Sequence, residues 1–230
     1  MAMANYKSEA EHIALRSKVL LASAKLFLEK GYSDSSLRDI AQAAGVNTSA
    51  VKREFQFKEN ILCGLVSFVL TGQFKAAGEF LEGKTDDPVL YYAAETTLQL
   101  YMAESNEAVR NLYSVAYSLP RSSELIRQTV TEKLVSRIFK ENLPDDDIEE
   151  FYLREISSGG IIRGHMMLPC SDRFPMEKKT KSFLEASLRI YQAPERKIKE
   201  AVEFVKQFDY PTLAKKTIDA MFSQLEHATL

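Results

Sequence analysis

An all-α fold is predicted by three features of the sequence. Apolar residues recur at spacings of three and four along most of the chain, which is the period of a helix that covers a core. Strand-type alternation is not sustained anywhere, and the seven prolines fall at or near the ends of predicted helices, where proline is tolerated. With 230 residues, of which 45% are hydrophobic and 27% are charged, the chain has the composition of a globular protein with a sizeable core.

The first helix is predicted over residues 9–30. It ends at Gly31, because glycine adopts the left-handed conformation of a helix C-cap at little cost. Ser35 or Ser36 then caps a short second helix, LRDIAQAA, and Asp39 completes a capping box if the cap is Ser36.

Gly45 ends the second helix, and a third helix begins at Asn47 or Thr48 and runs to about Phe55. Two short helices joined by a turn that contains glycine form a helix-turn-helix pattern. Apolar residues of the third helix anchor it to the first two, which leaves one polar face free: Asn47, Thr48, Ser49, Lys52 and Arg53. In such motifs the start of the second helix enters the major groove of DNA.

The remaining chain is read as a series of longer helices, predicted over residues 58–81, 87–103, 106–118, 122–140, 146–168, 176–192, 195–208 and 210–226. We therefore expect an N-terminal helix-turn-helix DNA-binding domain over residues 1–58 and a larger helical ligand-binding and dimerisation domain over residues 59–230.

Charge is distributed unevenly between these two parts. Residues 1–58 carry nine Lys and Arg against six Asp and Glu, whereas the remaining residues carry 21 against 26. A basic N-terminal part on an acidic body is a modest sign of an anionic partner at that end.

Several other classes of protein are disfavoured. The two cysteines and three histidines show no disulfide or metal-binding spacing, and no cofactor motif is present. No GxSxG, HExxH, P-loop or GxGxxG motif indicates an enzyme. The N-terminus lacks the apolar region of a signal peptide, and no apolar run approaches the roughly 20 residues of a membrane helix. We therefore expect a cytoplasmic protein without a membrane partner.

The stretch FLEKGYSDSSLRDIAQAAGVNTSAVKREFQFKENIL resembles the DNA-binding domain of the TetR family of transcriptional regulators. The matching positions are Phe27, Gly31 and Tyr32, the Ser35–Ser36 cap, Ile40 and Ala41, Ala44 to Val46, Phe55, and Lys58 with Glu59. The resemblance covers roughly residues 11–65, and the helical remainder has the length that is typical of the family.

The sequence departs from the family pattern at three positions. Lys52 stands where tyrosine is common, Glu54 where histidine or tyrosine is frequent, and Gln56 where proline is frequent. A lysine in place of an aromatic phosphate contact makes binding more salt-dependent. Glu54 beside DNA is unfavourable unless it accepts from a cytosine amino group or pairs with Arg53.

By resemblance, phosphate contacts are expected from Ser36, Thr48, Lys52 and Lys58, and base contacts from Asn47, Ser49 and Arg53. The alternative is that these residues form only a solvated polar face.

The resemblance also implies a homodimer, formed through the helices at about 146–168 and 176–192. The stretch ISSGGIIRGH in the first of these destabilises an isolated helix by roughly 1 kcal/mol for each glycine relative to alanine. Its small residues permit close approach of another helix, either from a partner subunit or from the same chain.

A pocket for a small-molecule effector is implied in the larger domain. The helix over residues 89–103 is apolar nearly all round, which indicates burial, yet it carries polar side chains that need partners. The candidate ligand-binding residues are Tyr91, Tyr92, Glu95, Tyr113, Tyr117, Arg163 and His165. The alternative is a core whose polar groups satisfy one another.

These observations favour a TetR-like, ligand-responsive repressor that binds palindromic operator DNA as a homodimer and is released by a small molecule. A helical protein-interaction module with a non-functional helix-turn-helix is the alternative.

Overall fold

The computed structural model describes the backbone of residues 2–228 and the side chains of residues 11–228. Within this part of the chain the structure is helical and contains no β-strand, which confirms the all-α fold class. The helices are α1 Ala2–Glu29, α2 Leu37–Ala43, α3 Thr48–Phe55, α4 Lys58–Leu81, α5 Pro88–Glu104, α6 Glu107–Ala116, α7 Pro120–Val130, α8 Ser136–Ile138, α9 Ile148–Met167, α10 Met176–Ile190, α11 Glu195–Val205 and α12 Tyr210–His227.

The predicted C-terminal end of the first helix and the predicted capping box of the second are confirmed, but α1 begins at Ala2 and not at residue 9. Gly31 adopts φ +85°, two residues after the last residue of α1. Ser36 rather than Ser35 is the N-cap of α2: its Oγ accepts from Asp39 N at 3.1 Å, and Asp39 Oδ2 accepts from Ser36 N at 2.9 Å. Ser35 instead donates its hydroxyl to the carbonyl oxygen of Gly31 at 2.8 Å.

The prediction of one continuous helix over residues 122–140 is wrong. α7 starts two residues earlier, with Pro120 in its first turn, and gives way after Val130 to a π-helical turn over Thr131–Val135 and then to α8. A proline fits the first turn because the amide hydrogen it lacks has no helical acceptor there. The segment TEKLV carries no glycine or proline that would indicate the wider turn.

α5 lies at the centre of the C-terminal part and is buried on nearly all sides, as its composition predicts. Asp87 caps it, accepting from Val89 N at 2.9 Å, and Pro88 occupies its first position. α4, α9, α10, α11 and α12 pack around it.

α4 connects the two ends of the molecule. It is the one described helix that is long and apolar enough, by length and composition alone, to cross a membrane, with a mean hydropathy of 1.4 in its most apolar window. Its buried side chains, among them Ile61, Leu62 and Leu65, belong to the apolar core of the protein. These contacts and its buried Gln73 identify it as a core helix and support a soluble protein.

One apolar cluster is formed mainly by α1 to α4 but also includes Ala116 of α6 and Ile126 of α7. A larger cluster is built around α5. The first cluster therefore continues beyond the predicted boundary at residue 58, and that boundary stays a prediction.

A buried ion pair holds the connection between α9 and α10. Lys179 is fully buried, and its Nζ donates to Glu104 Oε2 and to the carbonyl oxygen of Leu168, both at 2.6 Å. Glu104 also accepts from Arg110 Nη1 at 3.0 Å and from Cys170 N at 2.9 Å. These bonds tie the α9–α10 loop to the end of α5.

Replacing this lysine is expected to destabilise the fold. Lys179→Met removes the donor that pairs with a partly buried carboxylate and should lower the free energy of unfolding by about 3 kcal/mol. Urea unfolding measures this loss. The neighbouring Lys178 is exposed, so Lys178→Met should change stability by less than about 0.5 kcal/mol; equal effects of the two substitutions would contradict the role given to the buried pair.

Candidate nucleic-acid interface and ligand cavity

The turn between α2 and α3 has the geometry that the sequence predicts. Gly45 adopts φ +64°, a conformation that side chains disfavour. Val46 N donates to the carbonyl oxygen of Ala41 at 3.0 Å, which closes the turn. Val51 and Phe55 are buried and anchor α3 to the neighbouring helices.

The opposite face of α3 is open to solvent. Asn47, Ser49, Lys52 and Arg53 are exposed, and Thr48 is half-buried. Asn47, rather than Thr48, is the N-cap, with its Oδ1 accepting from Ser49 N at 2.8 Å. Ser36 is also exposed, at the start of α2. The structure thus brings the predicted base-contacting residues together on one face.

Glu54 does not belong to that face. Its carboxylate is largely buried, with Arg16 Nη1 2.5 Å from Oε1 and His12 Nε2 2.5 Å from Oε2. The sequence suggested cytosine or Arg53 as its partners, but the structure supplies two side chains of α1. Since α3 turns this carboxylate away from the exposed face, Glu54 holds α3 against α1.

Lys58 also has partners within the protein. Its Nζ donates to the carbonyl oxygens of Tyr32 at 2.6 Å, Ser33 at 3.3 Å and Ser35 at 2.8 Å, and it lies 4.2 Å from the centre of the Tyr32 ring. An ammonium group has three donors. This geometry argues for a structural role, in which Lys58 fixes the α1–α2 loop, in place of the phosphate contact expected from the resemblance.

The backbone conformation at Gln56 explains why this position between α3 and α4 does not carry the proline that is frequent in the family. Gln56 adopts φ +62° and ψ −55°, and Phe57 N donates to the carbonyl oxygen of Phe55 at 2.6 Å, which defines a γ-turn of the strained type. Proline is fixed near φ −65° and cannot adopt this conformation. Asn60 supports the turn, since its Nδ2 donates to the same carbonyl oxygen at 2.7 Å.

The start of α4 is bonded to the start of α7. Glu59 Oε1 accepts from Arg121 N at 2.7 Å, and the guanidinium group of Arg121 lies 5.4 Å from the centre of the exposed Phe57 ring. The beginning of α7 is therefore held next to the helix-turn-helix.

An apolar cavity of about 130 Å³ lies between these elements and the centre of the molecule. Helices α1, α4, α5, α6, α7 and α12 form its wall. The lining is aliphatic and aromatic, with polar atoms contributed by Gln99, Tyr113 and Tyr117. The Tyr113 hydroxyl is buried without a hydrogen-bond partner.

A second, polar cavity of about 20 Å³ lies beside it. Glu95 of α5 and Glu155 of α9 both line this cavity. Gln73 Nε2 donates to Glu95 Oε1, and the Tyr191 hydroxyl donates to Glu155 Oε2 at 2.7 Å. The Tyr92 hydroxyl also lies within this buried region of the core.

Three buried hydroxyl groups complete this region. The Tyr92 hydroxyl lies 3.2 Å from Ser158 Oγ and 2.5 Å from Ser187 Oγ, and the two serine oxygens are 2.9 Å apart. α5, α9 and α10 thereby meet through hydrogen bonds within an apolar core.

Burial raises the pKa of both carboxyl groups. The pKa of Glu95 is raised to about 7 by loss of solvent, against the opposing hydrogen bond from Gln73. Loss of solvent raises the pKa of Glu155 to about 8, although Tyr191 donates to it, and Glu95 adds to the increase. Near neutral pH, Glu155 is therefore largely protonated, and Glu95 is protonated in about half of the molecules.

The predicted ligand-binding residues separate into three sets. Tyr113 and Tyr117 line the apolar cavity, and Tyr92, Glu95 and again Tyr117 line the polar one. The structure brings the other three to neither cavity. Tyr91 donates to the carbonyl oxygen of Phe74 at 3.0 Å, Arg163 to Ser118 Oγ at 3.1 Å, and His165 contacts Ile161 O and Ser182 Oγ.

Sequence reasoning missed Gln73, Gln99 and Glu155 as cavity residues. Glu155 could have been found, because it occupies the apolar stripe of α9 one turn from Phe151 and Ser158. A carboxyl group at such a position must be buried with partners or shift its pKa. Gln99 carried a similar signal, because it is a polar residue on the helix that the sequence predicts to be buried, whereas Gln73 carries none.

An exposed helix-turn-helix joined to a helical body with internal cavities defines a helix-turn-helix regulatory protein. Residues 19–63 match the model of the family described as bacterial regulatory proteins, tetR family. No curated protein matches the sequence significantly. The match covers the helix-turn-helix, and this part of the chain is similar to the DNA-binding domain of the TetR family of transcriptional regulators.

Solved structures show the same fold over most of the chain. RolR in complex with resorcinol superposes with a TM-score of 0.62 and 14% identity, covering 85% of this chain and 94% of RolR. RolR without ligand gives a TM-score of 0.59 with 14% identity, covering 82% and 95%. SmeT, the repressor of the Stenotrophomonas maltophilia multidrug efflux pump SmeDEF, gives 0.53 with 17% identity, covering 76% and 88%.

The two buried carboxyl groups should make the protein less stable as the pH rises. The folded protein holds their protons to about pH 7 and 8, whereas the unfolded chain releases them near the ordinary value of 4.5. Their contribution to stability is therefore fully present below the unfolded value of 4.5 and is lost as the pH rises through 7 and 8, by on the order of 3 kcal/mol for each group.

Urea unfolding between pH 5 and pH 8.5 measures this fall. Glu155→Gln should reduce it by roughly half, because the amide cannot ionise. Glu149→Gln changes an exposed residue of the same helix and should follow the wild-type curve. An undiminished fall in Glu155→Gln would show that this carboxyl group is not the cause.

Proposed function

We propose that this protein is a cytoplasmic, homodimeric repressor that binds a palindromic DNA operator and is released from it by a small molecule. The observation that carries the proposal is the position of the apolar cavity. Its wall includes α1 and α4, which hold the helix-turn-helix, as well as α5, α6 and α12 of the helical body. A molecule in the cavity contacts both parts at once.

The exposed face of α3 supports DNA binding. In this proposal, Asn47, Ser49 and Arg53 contact base edges, and Ser36, Thr48 and Lys52 contact phosphates. With Glu54 bonded to α1, its carboxylate does not oppose the phosphates from this face. This removes a sequence-based reason to regard the helix-turn-helix as non-functional.

α9 supports a dimer. Its outer face carries Leu153, Ile156 and Met167, which are 55%, 48% and 49% exposed. Gly160 and Gly164 lie on the same face with open space beside them. An apolar stripe with small residues at helical spacing suits contact with an identical helix. α10 carries charged residues on its outer face, including Lys178, Lys181 and Arg189, and suits the rim of the interface.

Release would follow from a population shift. A ligand that fits the cavity better in one arrangement of α1 and α4 against α6 and α7 favours that arrangement. The bond between Glu59 and Arg121 transmits a movement of α7 to the start of α4. Two recognition helices that must lie about 34–36 Å apart then no longer match successive major grooves.

Selection from a library of random DNA duplexes tests DNA recognition. The purified protein should enrich a palindrome, and Arg53→Ala should weaken binding to it by about 1–3 kcal/mol for each lost base contact. Lys52→Ala should lower the slope of log affinity against log salt by about one for each protomer. Lys75→Ala, an exposed change on α4, serves as the control. Absence of any enriched sequence would favour the interaction-module alternative.

The dimer is tested by mass in solution. The wild type should have twice the chain mass of 26.0 kDa, and Ile156→Asp should give the monomer because a carboxylate would be buried in the interface. Ile13 is 56% exposed on α1, so Ile13→Asp is a matched control that should remain dimeric. Light scattering after size-exclusion chromatography distinguishes these results; a dimer that persists in Ile156→Asp would contradict the assignment of α9.

A further inference from the structure

The apolar and polar cavities share a wall. Leu70, Gln99 and Tyr117 line both of them, and Gln99 Nε2 donates to the Tyr117 hydroxyl at 2.8 Å. This hydrogen bond therefore belongs to the wall that the two cavities share. The two spaces therefore form adjacent compartments, one apolar and one polar.

One buried acceptor in the polar compartment has no hydrogen-bond donor. Gln73 is 1% exposed, lines this compartment, and its Oε1 has no partner. If the amide is turned over, its nitrogen is left unpaired instead, so one polar atom is unpaired in either orientation. Leaving such a group unpaired in the interior costs free energy. With a volume of about 20 Å³ the compartment has room for one group of the size of a water molecule.

We propose that the effector is an amphipathic primary amine, with an apolar body of about one aromatic ring in the larger cavity and its ammonium group between Glu95, Glu155 and Gln73. The inference rests on the proposed function, since it names the chemical class of its effector. The larger cavity has a suitable size, because an apolar cavity of about 150 Å³ in another protein holds benzene.

An ammonium group satisfies this compartment better than other groups. It supplies three donors and no acceptor, and its charge strengthens hydrogen bonds to carboxylates. A hydroxyl group could donate to Gln73 but carries no charge that would favour the ionised form of Glu95. Within the described residues, no group of three or more His, Cys, Asp or Glu side chains is arranged to hold a metal ion.

Binding of the amine is coupled to release of a proton. The amine arrives as R–NH3⁺, since a primary amine has a pKa near 10. Glu95, which has the lower pKa of the two carboxyl groups, loses its proton to solvent and pairs with the ammonium group, while Glu155 stays protonated; no covalent bond forms or breaks. The other groups near the pair are Arg127, whose charge acts on Glu155, and the tyrosine hydroxyls, whose pKa values burial raises: Tyr92, Tyr113, Tyr117 and Tyr191.

Isothermal titration of the full chain with 2-phenylethylamine, 2-phenylethanol and ethylbenzene tests the inference. Benzylamine and 3-phenylpropylamine extend the series, because the distance between the compartments selects the length of the linker. The best amine should bind at least tenfold more tightly than its neutral counterparts. Because the pKa of Glu95 is about 7, the affinity should rise about fivefold between pH 6 and pH 7, and buffers of different ionisation enthalpy should report about 0.9 proton released at pH 6 and about 0.5 at pH 7.

Glu95→Gln provides the decisive variant. It keeps the shape of the side chain and stays neutral, so it should bind ethylbenzene as the wild type does while losing the preference for the amine and its pH dependence. Glu149→Gln should retain both properties. Equal affinity for the amine and its neutral counterparts, no proton release, or no binding of any probe would overturn the inference.

DNA binding, measured separately with the selected palindrome, keeps the two proposals distinct. Release of DNA by ethylbenzene as readily as by the amine would support the proposed function and overturn the amine. If the protein binds the amine but selects no DNA sequence, the amine site would be supported and the proposed function overturned.

Discussion

The burial of α5 is the constraint on which the rest of the structure depends. A helix that is enclosed on nearly every side must pair its polar side chains without water. The hydroxyl groups of Thr96 and Thr97 donate hydrogen bonds to carbonyl oxygens of the same helix. Tyr92, Glu95 and Gln99 cannot do so and reach α4, α6, α9 and α10 instead. Because each bond leads to a different helix, these side chains set the relative positions of the surrounding helices and leave an unpaired amide atom among them.

The same arrangement places the cavities close to the DNA-binding end. α4 forms part of the wall of both cavities, and its first residues hold the loop between α1 and α2 and the start of α7. The cavities and the helix-turn-helix are therefore connected by a single helix, α4. A rigid helix with polar contacts at its start is a direct physical route for coupling, because two ligands that favour different positions of α4 oppose each other's binding.

The departures from the family pattern at the helix-turn-helix are compensated locally. Glu54 forms an ion pair with Arg16 and lies against His12 Nε2, and the strained turn at Gln56 is supported by Asn60. α3 is thus fixed at its C-terminal end by charge pairing, while its N-terminal residues remain free to contact a groove. The exposed cations that remain on this face, Lys52 and Arg53, carry the electrostatic part of the proposed interaction.

The sequence by itself determined the features that depend on neighbouring residues: the all-α class, the caps at Gly31 and Ser36, the turn at Gly45 and the exposed polar face of α3. Each follows from a local rule for backbone conformation or helical period, which needs no knowledge of distant residues. Only the tertiary structure decided that Lys58 bonds the α1–α2 loop, that Glu54 faces α1, and that Glu155 joins Glu95 beside a cavity. It also separated Tyr91, Arg163 and His165 from the cavities. These outcomes depend on which helices meet, and partners 38 or 66 positions apart in the chain are brought together by packing that no local pattern encodes.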